Sequence, residues 1–454
     1  MDKLADKTIY FIGIEGAGTS ALAVMYKKLG YELLGSDDGD HFYADALKKN
    51  KIRVFGSYSE KNLPDKIYKI VYSTCIANNN SEFQEAQKRS LEVKSYPEAL
   101  AELFNKKIGI AVCGTHGKTT TTAMLAFTLD NLKFSPNAIV GSKVIDWKGN
   151  SLTGDGDYFV IEADEYQNKL IHYEPWSVIL TSVDYDHPDF YKTPEDYKKA
   201  FSDFVKKIPK YGNLIYYNDN RDVVDVADKA KCSKYGYGFT DESDYIIKIK
   251  RNKLPQIFEV FCKDKSLGEF KIKFPGHHNA LNATAAIALC HKLGLNMNGV
   301  REALALFRGT VRRFEKVGNK NGAILIDDYA HHPEEVKVAL KTAKEIFPGK
   351  NIVTIFHPHS FTRTEALLED FAHSFNDANE LIVLDIYGSA REDSGNIHSQ
   401  DLVDLVNKYN PRKAKYIPDI DGAIERLENS IGENDVIISM GAGDVWQVTH
   451  KLAK

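Results

Sequence analysis

The 454-residue chain has no apolar run near the roughly 18 residues that a membrane-spanning helix needs. It also has no surplus of either charge. With 59 basic and 63 acidic residues its net charge is −4, which gives no electrostatic reason to bind a nucleic-acid backbone or an anionic membrane. Its five cysteines (Cys75, Cys113, Cys232, Cys262, Cys290) are odd in number and scattered, with no C-x-x-C pair, so neither a disulfide framework nor a zinc or redox motif is expected. There is no low-complexity stretch. The charged opening Met1-Asp2-Lys3-Leu4-Ala5-Asp6-Lys7 lacks the apolar region of a secretory leader, and a cytoplasmic location is expected.

What remains is an ordinary globular composition, 43% hydrophobic and 27% charged, long enough for about three domains. Small molecules are the expected partners. Short β-rich runs alternate with helical patterns: Thr8 to Ile12, a helix from Ala17 to Leu29, then Tyr31 to Gly35 and Ile67 to Tyr72. A second unit begins with Ile108 to Val112 and a helix from Lys118 to about Leu132, with further strands at Tyr158 to Ile161 and Val178 to Leu180. The pattern restarts near Arg312-Arg313-Phe314, with strands at Ala323 to Ile326, Ile352 to Phe356, Leu381 to Leu384 and Val436 to Ser439. The expected architecture is α/β in three domains, 1–106, 107–311 and 312–454: Rossmann-like, P-loop ATPase-like and Rossmann-like in turn.

Gly114-Thr115-His116-Gly117-Lys118-Thr119 lies between a strand and a helix, the P-loop arrangement. Small residues there let backbone N–H groups approach phosphate oxygens, the helix N-terminus favours anions, and Lys118 and Thr119 offer an ammonium and a metal-binding hydroxyl. The loop is shorter than the general G-x-x-x-x-G-K-[ST] pattern, because Val112 occupies the first glycine position. Acidic residues follow the next two strands, at Glu162-Ala163-Asp164-Glu165 and Asp184-Tyr185-Asp186-His187. A few carboxylates beside phosphate oxygens are what Mg²⁺ prefers, although such turns are also common as solvated strand ends. Asn279 and Asn282, three apart at a helix start, face one way and serve equally well to read an adenine edge or to cap the helix.

Several blocks, in order along nearly the whole chain, resemble the Mur ligase family of ATP-dependent amide ligases. They are Gly13-Ile14-Glu15-Gly16-Ala17-Gly18, Gly114 to Thr122, Glu162 to Glu165, Asp186-His187, His278-Asn279 with Asn282, Arg312-Arg313-Phe314, Asp327-Asp328-Tyr329-Ala330-His331-His332-Pro333, and Gly441-Ala442-Gly443-Asp444. His357-Pro358-His359 with Thr362-Arg363-Thr364, and Asp385-Ile386-Tyr387, extend the likeness toward the branch that adds L-alanine to UDP-N-acetylmuramate. The resemblance implies an acyl-phosphate route to an amide in peptidoglycan precursor assembly, and hence in cell-wall biogenesis, cell shape and division. Its cofactors would be ATP and Mg²⁺, with Mn²⁺ as a substitute. The implied partners are UDP-N-acetylmuramate, L-alanine and ATP, the protein acting as a monomer or homodimer.

By the same resemblance Lys118, His187, His331 and Arg363 are catalytic. Gly114, Thr115, His116, Gly117, Lys118, Thr119, Thr120, Asn279, Asn282 and Arg313 bind ATP. Gly13, Gly16, Ala17, Gly18, Asp37 and Ser73 bind the UDP-sugar, the G-x-x-G-x-G spacing being unlike the dinucleotide fingerprint. Tyr329, His331, His359 and Arg363 place the amino acid, and Thr119, Glu162 and His187 hold metal. Three departures stand out: Glu15 where glycine is common, Ser360 in place of an arginine, and Glu165-Tyr166-Gln167 in place of Glu-Ser-Asp. A carboxylate facing a diphosphate is unfavourable, so Glu15 is expected to point away from it. The third departure leans toward a sister ligase whose acceptor is a murein tripeptide, which is the alternative function. A P-loop ATPase that drives a partner's motion is a further one.

Overall fold

The computed structural model describes residues 7–38, 41–76, 78–388, 392, 394–428 and 430–454; residues 1–6, part of the opening discussed above, lie outside it. Three sheets divide the chain. The first is five-stranded and parallel, with Thr8–Ile12 at its centre between Glu32–Ser36 and Lys69–Tyr72, and Arg53–Phe55 and Val93–Ser95 at the edges. Its strand order reverses between Thr8–Ile12 and Lys69–Tyr72, the switch point at which such sheets bind ligands, and Gly13 and Ser73 leave the sheet there. The helix Ala17–Lys28 starts there.

The second sheet has ten strands. Its centre is Ile108–Cys113, flanked in parallel by Ser177–Leu180 and Tyr158–Glu162. These runs are uninterrupted apolar sequence because both faces are covered by helices. The helix Lys118–Asn131 is the extreme case: every side chain from Thr119 to Leu129 is buried. It packs on the helix His277–Lys292. Toward one edge, Tyr245–Arg251, Gln256–Cys262 and Lys265–Ile272 form an antiparallel meander whose residues alternate between buried and exposed. At the other edge Asn137–Val144 pairs antiparallel with Gly149–Leu152.

The third sheet has six strands, with Ala323–Asp328, Asp435–Met440 and Asn351–Phe356 adjacent and parallel. An antiparallel strand, Glu315–Lys320, precedes them at the edge. The fold is therefore mixed α/β with a Rossmann-like, a P-loop-like and a second Rossmann-like sheet. Among the described residues no helix is long and apolar enough to cross a membrane.

Candidate active site

The phosphate loop is shaped by two glycines in the left-handed region. Gly114 has φ +127°, and a Cβ there would lie 2.3 Å from Thr181 Oγ1 and 2.7 Å from the Ser182 backbone. Gly117, with φ +78°, is the N-cap of Lys118–Asn131, and a Cβ there would lie 2.5 Å from Asn282 Oδ1. Only glycine combines that backbone with that space. The loop is tied to the neighbouring strand end: Thr115 N donates to Ser182 O at 3.1 Å, His116 N to Ser182 Oγ at 2.8 Å, and Asp184 N to Thr115 Oγ1 at 2.8 Å.

Lys118 Nζ donates to Gly114 O (2.5 Å), Thr115 O (3.2 Å) and Glu165 Oε2 (2.9 Å). Burial alone would lower its basicity, but the surrounding carboxylates, Glu165 first, hold it above the ordinary lysine value, so it stays cationic. Thr119 Oγ1 donates to Glu162 Oε1 at 2.9 Å, and Gly141 N donates to Glu162 Oε2 at 2.6 Å. Burial raises the Glu162 carboxyl despite Lys118 nearby. The hydroxyl and this carboxylate form a hard oxygen pair beside the phosphate cradle, which fits Mg²⁺.

His187, in the left-handed region at φ +58°, lies beside the acids that follow Glu162. Its Nε2 is 3.7 Å from Glu165 Oε1, and it gathers with Asp164 and Glu165 so that one ligand atom from each lies within 4.8 Å of the others. The two oxygen clusters flank Lys118. Tyr166 lies against the His187 ring, centroids 4.5 Å apart, and donates to Asp189 Oδ2 at 2.7 Å.

A cavity of about 380 Å³ opens over the loop. His116, Gly117, Thr119 and Thr120 form one wall, Asn279 and Asn282 another, and Arg313 with Asp328 a third. Asn279 does not cap its helix, whose N-cap is Gly276; its amide donates to Pro275 O at 2.7 Å. Arg313 reaches Thr119 Oγ1 at 3.4 Å and lies over the Tyr329 ring at 5.2 Å.

The C-terminal sheet adds the rest. His331 Nδ1 lies 2.9 Å from Tyr329 O, and its ring meets Tyr329 at 5.3 Å and His359 at 5.9 Å. Burial pushes its pKa down to about 4, so it is neutral at pH 7. Arg363 clasps Asp186 in the central domain with two bonds, 2.8 and 3.2 Å, and contacts His359 Nδ1 at 3.0 Å. Ser360, the replaced arginine position, caps the short helix Phe361–Ala366 by accepting from Arg363 N.

The residues assigned to the UDP-sugar form a separate group in the first domain. Gly13, Gly16, Ala17 and Gly18 make the turn into the helix Ala17–Lys28. Asp37 is already engaged, accepting from Glu15 N (2.6 Å) and Tyr58 OH (3.1 Å) and facing His41 Nε2 (3.3 Å). The Glu15 carboxylate accepts from His41 N at 3.1 Å, a partner outside the glycine turn. Ser73 begins the facing loop, its N donating to Ile12 O at 2.9 Å. Asn150 Nδ2 donates to Ala17 O at 2.7 Å, docking the central hairpin against this helix start.

Three groups at the centre escaped the sequence reading. Glu165 and Asp186 were quoted only as parts of motifs, yet they hold Lys118 and Arg363. Glu335 was not noticed: an acid in a helix's first turn reads as a charge suited to the helix dipole.

Family models match along the chain: "Mur ligase family, catalytic domain" over residues 8–108, "Mur ligase middle domain" over 112–290 and "Mur ligase, glutamate ligase domain" over 312–443. A UDP-N-acetylmuramate–L-alanine ligase of Desulfitobacterium hafniense is 38% identical over 98% of this chain and 99% of its own length. The crystal structure of a UDP-N-acetylmuramate–alanine ligase from Thermotoga maritima superposes with a TM-score of 0.82 at 28% identity, covering 98% of both chains. A murein peptide ligase from Psychrobacter arcticus shares the fold, with a TM-score of 0.76 at 23% identity over 98% of both chains.

Proposed function

The chain belongs to the Mur ligase family, and from that premise we infer that it is an ATP-dependent ligase joining L-alanine to UDP-N-acetylmuramate in peptidoglycan synthesis. A nucleotide-sugar donor and ATP as substrates support a cytoplasmic enzyme, acting as a monomer or homodimer. Its first domain, 1–106, holds the UDP-sugar; the second, 107–311, holds ATP; the third, 312–454, holds the amino acid.

The observation that carries the site assignment is the single cavity shared by phosphate loop, Asn279, Asn282 and Arg313, with His331 and Arg363 adjoining from the C-terminal sheet. The muramate carboxylate oxygen attacks the γ-phosphorus, and the bond to the bridging oxygen breaks to release ADP. Lys118 and Arg313 offset the charge that moves. Mg²⁺ held by Thr119 with Glu162, and by His187 with the neighbouring acids, would add a Lewis acid for the phosphate oxygens. The amino nitrogen of L-alanine then attacks the acyl carbon and phosphate leaves with its oxygen.

The amino group has to shed protons during that attack. His331 donates from Nδ1 to Tyr329 O, which leaves Nε2 as a neutral acceptor. Arg363, fixed by Asp186, positions the amino-acid carboxylate together with Tyr329 and His359.

The deciding experiment is an acceptor screen with ATP and UDP-N-acetylmuramate. ADP release with L-alanine is expected. Release with a murein tripeptide and none with L-alanine would overturn the acceptor assignment, and turnover indifferent to both substrates would overturn the ligase reading.

A further inference from the structure

The first turn of the helix Pro333–Ile346 carries two adjacent acids with different surroundings. Glu334 has half its side chain in solvent and pairs with Lys337, the ordinary fate of an acid at a helix N-terminus. Both acids line the cavity above the phosphate loop, and Glu335 is the more enclosed, its side chain 13% exposed. A carboxylate in a pocket for a polyanion is unfavourable unless its charge is matched.

Its two oxygens address two different ends of the site. Oε1 lies 3.1 Å from His116 Nδ1 and 3.9 Å from Arg313, both on the nucleotide side. Oε2 accepts from His331 N at 3.2 Å and lies 3.4 Å from His331 Nδ1, on the acceptor side. His116 is otherwise fixed to the central sheet: its N donates to Ser182 Oγ, and its O accepts from Thr181 Oγ1 at 2.5 Å. Its ring packs at 4.8 Å from His332. It immediately precedes Gly117 and Lys118, so the orientation of the cradle depends on how this residue is held.

We propose that Glu335 is a positioning residue that couples the phosphate loop to the acceptor end, through His116 on one oxygen and His331 on the other. The bond to His116 crosses from the C-terminal to the central domain, and moving the third domain away breaks it. Occupancy of the amino-acid end therefore steadies the loop, and by linkage a bound nucleotide steadies His331 to the same degree. Glu335 touches no reacting atom in this scheme; it acts through its two histidine partners.

The inference rests on the ligase reading, and the test separates the two. ADP release is measured at saturating UDP-N-acetylmuramate for the wild type, Glu335→Gln, His116→Asn and the double variant. Glu335→Gln and His116→Asn should each raise the KM for ATP and for L-alanine together by about tenfold. The double variant should be no worse than the weaker single variant within about twofold, because both substitutions break one connection. UDP-N-acetylmuramate affinity, set in the first domain, should be unchanged by calorimetry. Losses that multiply, a KM for ATP that does not move in Glu335→Gln, or a parallel fall in UDP-sugar affinity would overturn the coupling role. A wild type whose ADP release is indifferent to L-alanine and UDP-N-acetylmuramate would instead overturn the ligase reading.

Discussion

Two strand-loop-helix turns in this molecule begin alike and end differently. After Thr8–Ile12 and after Ile108–Cys113 the chain enters a glycine with positive φ, Gly13 at +74° and Gly114 at +127°, and then a helix with a threonine in its first turn. Thr19 Oγ1 turns back to its own loop, donating to Gly13 O at 2.8 Å. Thr119 Oγ1 turns outward to Glu162 on the adjacent strand. The central loop carries Lys118 near two acidic clusters, whereas Gly13 to Gly18 contains no basic residue, carries Glu15 itself and lies beside Asp37. A glycine turn at a helix N-terminus is enough to bind an anion; moving phosphoryl charge requires the cations and carboxylates that neighbouring strands bring.

The sharpest break of that contrast is Lys118→Ala. It should lower kcat by about 100- to 1,000-fold, the scale for one electrostatic contact at a transition state, while calorimetry finds UDP-N-acetylmuramate affinity intact. A loss of sugar binding as well would mean that the two loops do not divide the work.

The third domain reaches the central loop through Glu335 and the neighbouring strand end through Arg363, and Arg363→Ala tests that contact. It leaves Asp186 buried without its partner and should cost about 3–5 kcal/mol, read as a lower melting temperature. Burial alone would raise the Asp186 carboxyl, but Arg363 outweighs it and holds it well below the usual range. A depressed carboxylate stabilises the fold above its unfolded pKa, about 3.9, and the contribution fades as pH falls from there through the depressed value. The wild-type advantage over Arg363→Ala should therefore be full at pH 7 and shrink below pH 4.

The paired threonines sharpen the comparison further. Thr119→Ala should raise the Mg²⁺ concentration needed for half-maximal activity by about tenfold, in the range found when a group at a metal site is lost. Thr19→Ala should cost only about 1 kcal/mol of stability, one buried hydrogen bond, with the Mg²⁺ requirement unmoved. The smallest effect belongs to Glu15→Gln. It keeps an acceptor for His41 N and removes a negative charge from the glycine turn proposed to bind the diphosphate, so UDP-N-acetylmuramate should bind about twofold tighter at low salt.

The phosphate loop and the strands around it were legible because they are local: a buried parallel strand is a continuous apolar run, and Gly117-Lys118-Thr119 follows directly. The edges of the central sheet were not. The meander from Tyr245 to Ile272 and the hairpin Asn137 to Leu152 have exposed faces and mixed composition, so their runs do not stand out from loops. In the site, motif spacing located His187 at a strand end but not its neighbours. Its left-handed backbone turns the ring toward Glu165, while the strand ends at Glu162, so alternation no longer sets where Asp164 and Glu165, two and three residues on, point. Glu335 was invisible for another reason: its partner His116 is 219 positions away, and nothing in Pro333-Glu334-Glu335 distinguishes the inward acid from the outward one.

The helix Lys118–Asn131 is enclosed on all sides from Thr119 to Leu129, and that sets a timescale. Its amides beyond the first turn have no local route to solvent, so their deuterium exchange should proceed only when the central domain opens as a whole, among the slowest in the protein. Gly117, Lys118 and Thr119, proposed to hold the nucleotide, thus stand at the head of a slowly exchanging element, while the loop before them takes its orientation from His116.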